Sequence, residues 1–176
     1  MTAEDLFAIS SDDYKDELVA GMLVRMPLAG ALHGTVAMQV ARILHEYIEA
    51  HGLGVVCAAD TGFILQRSPD VVRGPDAAFV AKDRVPLTGA PETYWPFAPD
   101  LAVEVISPRD RAGDLQQKIA EYFVAGTRLV WVVHPRTRTV SVYRSPGDVR
   151  VLGEADDLNG DEVLPGFSCP VKRCFE

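Results

Sequence analysis

The chain has few cysteines, no long apolar run and no large excess of positive charge. Its three cysteines, Cys57, Cys169 and Cys174, are odd in number and form no C-x-x-C pair, which argues against a disulfide framework and against a zinc cluster. No apolar run reaches the roughly 18 residues that a membrane-spanning helix needs, and the first residues lack the basic start of a secretory signal. We therefore expect a cytoplasmic protein with reduced thiols and no membrane partner.

The 176 residues carry a formal net charge of −8, which argues against a general nucleic-acid-binding protein. The charge is unevenly spread, because residues 61–150 hold 12 basic and 10 acidic side chains whereas both flanking segments are acidic. Any contact with a polyanion is therefore expected in the middle of the chain, without tight non-specific binding to DNA at physiological salt.

Length and composition are those of one folded domain over residues 1–176. Residues 1–16 are predicted to form an N-terminal helical arm, since Thr2 and Asp5 have the spacing of a capping box. Apolar residues at helical spacing predict a long helix over residues 34–50 and a second helix after Pro108, each followed by a glycine. Residues 85–99, with four prolines, predict a long loop that is a candidate lid or dimer contact. Strands are predicted within 17–26 and at 55–59, 63–66, 77–81, 101–106 and 129–133, followed by a hairpin of 140–143 and 149–152.

Glu104 interrupts a strand that is otherwise apolar. Alternation along the strand places Glu104 on the same face as Ala102 and Ile106, whereas the residues between them fill the other face. A buried carboxylate without a partner costs several kcal/mol or becomes protonated. Glu104 therefore needs a buried partner, and a metal ion or the side chain of Lys118 on the next helix would serve.

Two Pro-Asp pairs, ending in Asp76 and Asp100, each place an acid at the start of a predicted strand. Asp76 and Glu104 would hold a hard divalent cation through their oxygens, as metal-assisted phosphodiester hydrolysis requires. Lys118 would orient or deprotonate the attacking water, or stabilise charge on the phosphorane. A buried ion pair of Lys118 with Glu104, or a surface pair with Asp114, accounts for the same residues without chemistry.

A series of short motifs runs along nearly the whole chain. They are Glu17 with Gly21, His33, Pro75-Asp76, Pro99-Asp100-x3-Glu104-Val105-x-Ser107-Pro108, Asp114-x3-Lys118-x3-Tyr122, Ala125-Gly126, Trp131-Val132-Val133 and Leu164-Pro165-Gly166-Phe167. Their order and spacing, over roughly residues 3–174, resemble the Uma2 family of bacterial proteins. That family is assigned to the PD-(D/E)xK nuclease superfamily and labelled as restriction endonucleases.

The resemblance implies an α/β (α+β) fold with a restriction-endonuclease-like core, in which helices flank a mixed sheet, and we expect an additional C-terminal β-hairpin. It also implies a catalytic group of Asp76, Glu104 and Lys118, with Mg²⁺ or Mn²⁺ held by the two acids. In the superfamily pattern a lysine lies two residues after the second acid, where this chain has Ile106. Lys118 would therefore be a replacement from the following helix. The resemblance gives supporting roles to Glu17, His33 and Asp100.

The function that the resemblance implies is metal-dependent cleavage of DNA by an endonuclease that forms a homodimer. Arg109 and Arg111, at the mouth of the predicted site, would contact the phosphate backbone, although solvated loop charges are an alternative for both. Two other functions stay open. One is a non-catalytic assembly or regulatory module that retains the fold, which the acidic net charge and Ile106 favour. The other is a metal-dependent phosphoesterase that acts on a small substrate.

Overall fold

A six-stranded mixed sheet forms the centre of the fold. The computed structural model describes residues 1–9 and 15–176. Two short 3-10 helices, Lys82–Arg84 and Val171–Phe175, accompany the longer elements. In chain order these elements are α1 (Ala3–Ile9), β1 (Lys15–Val19), β2 (Met22–Met26), α2 (Ala31–His51), β3 (Gly54–Ala58), β4 (Phe63–Gln66), β5 (Val71–Arg73), β6 (Ala77–Ala81), β7 (Leu101–Val105), α3 (Ala112–Val124), β8 (Leu129–His134), β9 (Thr139–Ser145), β10 (Asp148–Leu152), β11 (Asp157–Gly160) and β12 (Leu164–Pro170).

The central sheet has the strand order β10-β9-β8-β7-β6-β3. Its neighbouring strands are antiparallel except for β7 and β8, which run parallel and are connected through α3. A parallel pair needs a crossover of this kind, and its strands are buried on both faces. The apolar run of β8 meets that requirement, because Leu129–Val133 is buried throughout.

A smaller four-stranded sheet has the order β2-β1-β5-β4, and β11 pairs with β12 as a separate two-stranded hairpin. The turn between β1 and β2 places Ala20 at φ 49° and Gly21 at φ 75°. Left-handed conformations at both central residues are those of a type I′ turn, whose twist matches an antiparallel hairpin. The hairpin holds Glu17 in β1, inside the fold.

One face of the central sheet is covered by α2 and the C-terminal elements. Val36, Val40, Leu44 and Ile48 follow the helical spacing and are buried in this core, and α2 ends at Gly52 with a left-handed φ of 60°. The opposite face is covered in part by α3, whose buried residues pack on Ala102, Val130 and Val132. The side chains of β7 alternate between these two faces, as its sequence predicts, so Glu104 points to the α3 side.

The predicted fold class is correct, and the predicted helices and strands are present with small shifts of their ends. The predicted hairpin of 140–143 and 149–152 is confirmed as β9–β10, whose strands also belong to the central sheet. A second C-terminal hairpin, β11–β12, was missed from the sequence pattern together with β5. The predicted arm contains α1, whose Ala3 and Leu6 are buried against the small sheet, and residues 10–14 of the arm lie outside the described residues.

The long loop at 85–99 is anchored in its second half. Trp95 is buried, stacks on Phe63 with 6.3 Å between ring centroids, and exchanges backbone hydrogen bonds with Gly62 and Ile64. None of the helices in the described part of the chain is long and apolar enough to span a membrane.

Leu44→Ala should lower the free energy of unfolding by about 2–5 kcal/mol, because Leu44 is fully buried against the central sheet and its loss leaves a cavity. Met38→Ala on the same helix should change it by no more than about 0.5 kcal/mol, because Met38 is exposed. Urea unfolding followed by circular dichroism measures both. Equal losses for the two variants would contradict the packing described for α2.

Candidate active site

A buried lysine links two buried carboxylates between the central sheet, the small sheet and α3. Lys118 Nζ lies 2.9 Å from the carboxylate oxygens of Glu104 on β7 and 3.0 Å from Glu17 Oε1 on β1. All three side chains are at least about nine-tenths buried. Three of the residues predicted from the sequence are therefore in direct contact.

Tyr122 completes the surroundings of Glu104. Its hydroxyl donates a hydrogen bond of 2.7 Å to Glu104 Oε1. Tyr122 is four residues after Lys118, so both side chains leave the same face of α3. Burial and the nearby carboxylates of Glu104 and Glu17 raise the pKa of Tyr122 well above its ordinary value, so the hydroxyl keeps its proton and remains a donor.

Arg73 extends the charged cluster to the edge of α3. Its guanidinium donates to Glu17 Oε2 at 2.8 Å and contacts Glu121 Oε2 at 2.6 Å, while the Gly74 backbone N–H donates to Glu17 Oε1. Acidic and basic groups thus alternate along a connected network. In order, its members are Glu121, Arg73, Glu17, Lys118 and Glu104.

The network shifts the pKa values of its members in different directions. Burial alone would raise the pKa of Glu17, but Lys118 and Arg73 outweigh it and lower that pKa from 4.5 to about 2. Burial raises the pKa of Glu104, and the charges of Asp76 and Glu17 add to the rise against the opposing effect of Lys118. Burial disfavours the charge on Lys118, yet the two carboxylates dominate and raise its pKa, so Lys118 stays cationic.

Asp76 lies beside Glu104 because β6 and β7 are antiparallel. The register pairs Ala77 with Val103, so one further step places Asp76 next to Glu104. The Asp76 backbone N–H donates to Val103 O at 2.9 Å, and the Val105 N–H donates to Asp76 Oδ2 at 2.7 Å. The backbones of Asp76 and Glu104, the two acids that were predicted to bind a metal, therefore lie directly opposite each other on neighbouring chain segments.

Two further basic side chains contact Asp76. His33 Nε2, in the first turn of α2, lies 3.2 Å from Asp76 Oδ2, and Lys15 Nζ lies 3.6 Å from Oδ1 and 3.5 Å from Asp60. The hydrogen bond to Asp76 raises the pKa of His33 despite partial burial. Burial would raise the pKa of Asp76, but His33 and Lys15 outweigh it and lower that pKa.

The acids of this site suit a hard divalent cation. Asp76 and Glu104 offer carboxylate oxygens from adjacent strands, and the contact of Asp76 Oδ1 with Lys15 is long at 3.6 Å. No group of three or more metal-ligating side chains converges within residues 1–9 and 15–176. A cation held by Asp76 and Glu104 alone would leave its remaining positions to water and substrate.

Asp100 does not join this group. Its carboxylate accepts a hydrogen bond from the Ala81 N–H and contacts Arg84 and Arg128, both at 3.0 Å. Asp100 precedes β7, whereas Glu104 is near the end of that strand, about 13 Å further along. The same antiparallel pairing that brings the start of β6 to the end of β7 keeps Asp100 at the opposite end, where its contacts tie β6, β7 and β8 together.

Arg109 and Arg111 lie in the exposed loop between β7 and α3, and neither has an ion-pair partner among the described residues. They are available to a ligand at the end of β7. Ile106, which occupies the position of the superfamily lysine, packs with the apolar residues beneath α3. No cation replaces it on the strand itself.

Sequence reasoning missed Lys15, Arg73 and the role of Tyr122. Lys15 and Glu17 are two residues apart on one strand, and this spacing predicts that they share a face. Tyr122 follows Lys118 by one helical turn, and this spacing predicts that the two side chains are neighbours. Arg73 is in a three-residue strand without a clear pattern, and its contact with Glu17 spans 56 positions of sequence.

Comparison with known proteins identifies the family. The model of Uma2, described as "putative restriction endonuclease", matches residues 3–172. This chain belongs to the Uma2 family. A similar solved structure is that of a "putative nuclease" from Anabaena variabilis ATCC 29413, with 17% sequence identity and a TM-score of 0.86 over 99% of this chain and 97% of that one. This likeness shows the fold, and no curated protein matches the chain.

Glu17→Gln should lower the free energy of unfolding at neutral pH by about 3–5 kcal/mol, the range for removing one partner of a buried ion pair. Because folding lowers the pKa of Glu17 from 4.5 to about 2, its carboxylate stabilises the folded protein fully above pH 4.5 and ceases to do so as the pH falls through about 2. The difference between wild type and variant should therefore shrink across that window in urea unfolding experiments.

Glu162→Gln is the matched control, because Glu162 is exposed in the turn between β11 and β12. Its stability should follow that of the wild type at every pH. A Glu17→Gln effect that is unchanged down to pH 2 would show that the ionised form of Glu17 does not stabilise the fold.

Proposed function

We propose that this protein is a metal-dependent endonuclease that hydrolyses phosphodiester bonds in DNA. The observation that carries the proposal is the placement of Asp76 beside Glu104, with Lys118 bound to Glu104, in a member of the Uma2 family. Two adjacent acids with a neighbouring cation are the groups that metal-assisted cleavage of a phosphodiester needs.

Asp76 and Glu104 are the residues that would hold Mg²⁺ or Mn²⁺, since both ions favour octahedral oxygen sites. The bound ion would supply Lewis acidity and lower the pKa of a bound water. The Val105 N–H and His33 both contact Asp76 Oδ2 and keep its carboxylate in one orientation. Tyr122 and Lys118 do the same for Glu104.

Lys118 acts as a fixed positive charge in this proposal. Its contacts with Glu104 and Glu17 raise its pKa against the effect of burial and favour the cationic form. Of the roles predicted from the sequence, orientation of the water and stabilisation of negative charge use this cationic form. Preorganised charge of this kind contributes most where water is excluded.

The same contacts favour a second candidate, a non-catalytic module that keeps the fold. Lys118, Arg73 and Tyr122 give Glu17 and Glu104 partners without any metal ion, and the chain is acidic overall. In that case the acids stabilise the fold as ion-pair partners and bind no cation. Metal binding separates the two candidates directly.

The expected homodimer also stays a proposal. β2 is an edge strand of the small sheet, and its Met22 and Leu23 are exposed. A free edge with exposed apolar side chains is a surface on which a second copy could pair.

In isothermal titration calorimetry the wild type should bind Mn²⁺, and Asp76→Asn and Glu104→Gln should each weaken binding by at least about tenfold, because each removes an ionised ligand. Asp100→Asn is the matched control, since Asp100 is also a buried acid at a strand start but contacts Arg84 and Arg128. Its Mn²⁺ affinity should equal that of the wild type. Equal binding by all four proteins would overturn the metal site.

With Mn²⁺ present the wild type should cleave plasmid or single-stranded circular DNA, and Asp76→Asn or Lys118→Gln should reduce the rate by about 100-fold or more, because each removes a preorganised charge. The rates are measured by gel electrophoresis after circular dichroism has shown that each variant is folded.

EDTA should abolish the cleavage, and Asp100→Asn should leave it intact. Cleavage that survives Asp76→Asn would come from another site or a contaminant and would count against the proposal. Binding of Mn²⁺ without any cleavage would favour the non-catalytic candidate.

A further inference from the structure

A cleft of about 450 Å³ opens beside the candidate active site. Three segments form its walls: the start of α2 with the residue before it (30–33), the residues after β7 (106–108), and the end of β8 with the following turn (134–137). Its volume is in the range of pockets that hold small molecules.

His33 connects the cleft to Asp76, one of the two acids proposed to bind a metal ion. His33 lines the cleft, and its Nε2 lies 3.2 Å from Asp76 Oδ2. Ile106 lines the opposite side and follows Val105, whose N–H donates to the same carboxylate oxygen. Because β7 and β8 are parallel, with Val105 paired to Val133, their carboxyl ends meet at this edge of the sheet. A ligand in the cleft therefore lies against His33, the residue that contacts Asp76.

The walls of the cleft present uncovered apolar surface. Leu32 is 59% exposed, and Ile106, Pro108 and Pro135 add further apolar surface. Flat apolar walls of this kind suit the face of a nucleobase, which packs without regard to its hydrogen-bonding edge.

The cleft favours an anion. Its lining includes Arg136 and no carboxylate, and Arg136 has no ion-pair partner among the described residues. Arg138, two positions later, shows the contrast because it is paired with Glu154 at 2.6 Å. Arg109 and Arg111 stand unpaired on the adjoining loop, where Asp110 contacts Ser107. In a protein of net charge −8, the lining of the cleft thus carries an exposed arginine without an ion-pair partner among the described residues.

We propose that the cleft binds one unpaired nucleotide of single-stranded DNA, with its base against Leu32 and Ile106 and its phosphate at Arg136. This inference rests on the proposed nuclease function and names the form of its substrate. A pocket of this size admits a single base and not a duplex, and an enzyme that takes a base from a duplex must first unstack it.

The test is fluorescence anisotropy with a labelled single-stranded DNA oligonucleotide and with the same sequence as a duplex, in EDTA so that no cleavage occurs. The wild type should bind the single strand more tightly than the duplex. Leu32→Asn should weaken binding of the single strand by about tenfold, which is within the range for loss of a base-stacking contact. Arg136→Gln should weaken it by a similar factor because it removes the positive charge at the phosphate.

Two variants serve as matched controls. Arg150→Gln removes an exposed arginine on β10 that has no ion-pair partner in the part of the chain the structure describes. Met38→Asn removes an exposed apolar side chain of α2 outside the cleft. Both should bind the single strand as the wild type does. Tighter binding of the duplex, or equal affinities for the cleft variants and their controls, would overturn the proposal.

The two proposals fail in different ways. If cleavage depends on Asp76 while Arg136→Gln and Leu32→Asn bind the single strand normally, the nuclease function holds and the nucleotide cleft is refuted. If the cleft variants lose binding while no DNA is cleaved with Mn²⁺, the cleft is supported and the nuclease function fails.

Discussion

The contact of Lys118 with Glu17 and Glu104 is the interaction on which the rest of this structure depends. It joins α3 to a strand of each larger sheet, and it lies where water cannot screen the charges. A buried ion pair is tolerated only when its geometry is good and its remaining hydrogen bonds are made. Here Tyr122, Arg73 and the Gly74 N–H make them. Packing of α3 and formation of the site are therefore one event.

Much of this arrangement could be read from local sequence patterns. The apolar spacing of α2 and α3 and the apolar runs of β7 and β8 are strong periodic signals, and a carboxylate inside such a run demands a partner. Lys118, at the margin of the apolar face of the next helix, was the predicted partner. The short strands β5 and β11 gave no comparable signal, because three or four residues are too few to establish a period.

The contrast between Asp76 and Asp100 shows what local pattern cannot supply. Both follow a proline and both precede a strand, so the sequence treats them alike. Only the antiparallel pairing of β6 with β7 separates them, because it brings the start of one strand to the end of the other. The direction of a strand relative to its neighbours is set by the whole sheet and cannot be read from one segment. The contact of Arg73 with Glu17 likewise depends on the pairing of β5 with β1.

Lys118 comes from α3 and not from β7. Position 106 on the chain after β7 therefore needs no charged side chain, and the apolar Ile106 lies there at the wall of the cleft. A residue of α3 thus neutralises the acids, whereas a residue after β7 shapes the neighbouring surface. A substitution at the cleft wall can therefore alter which molecules fit there while the charges beneath α3 stay in balance.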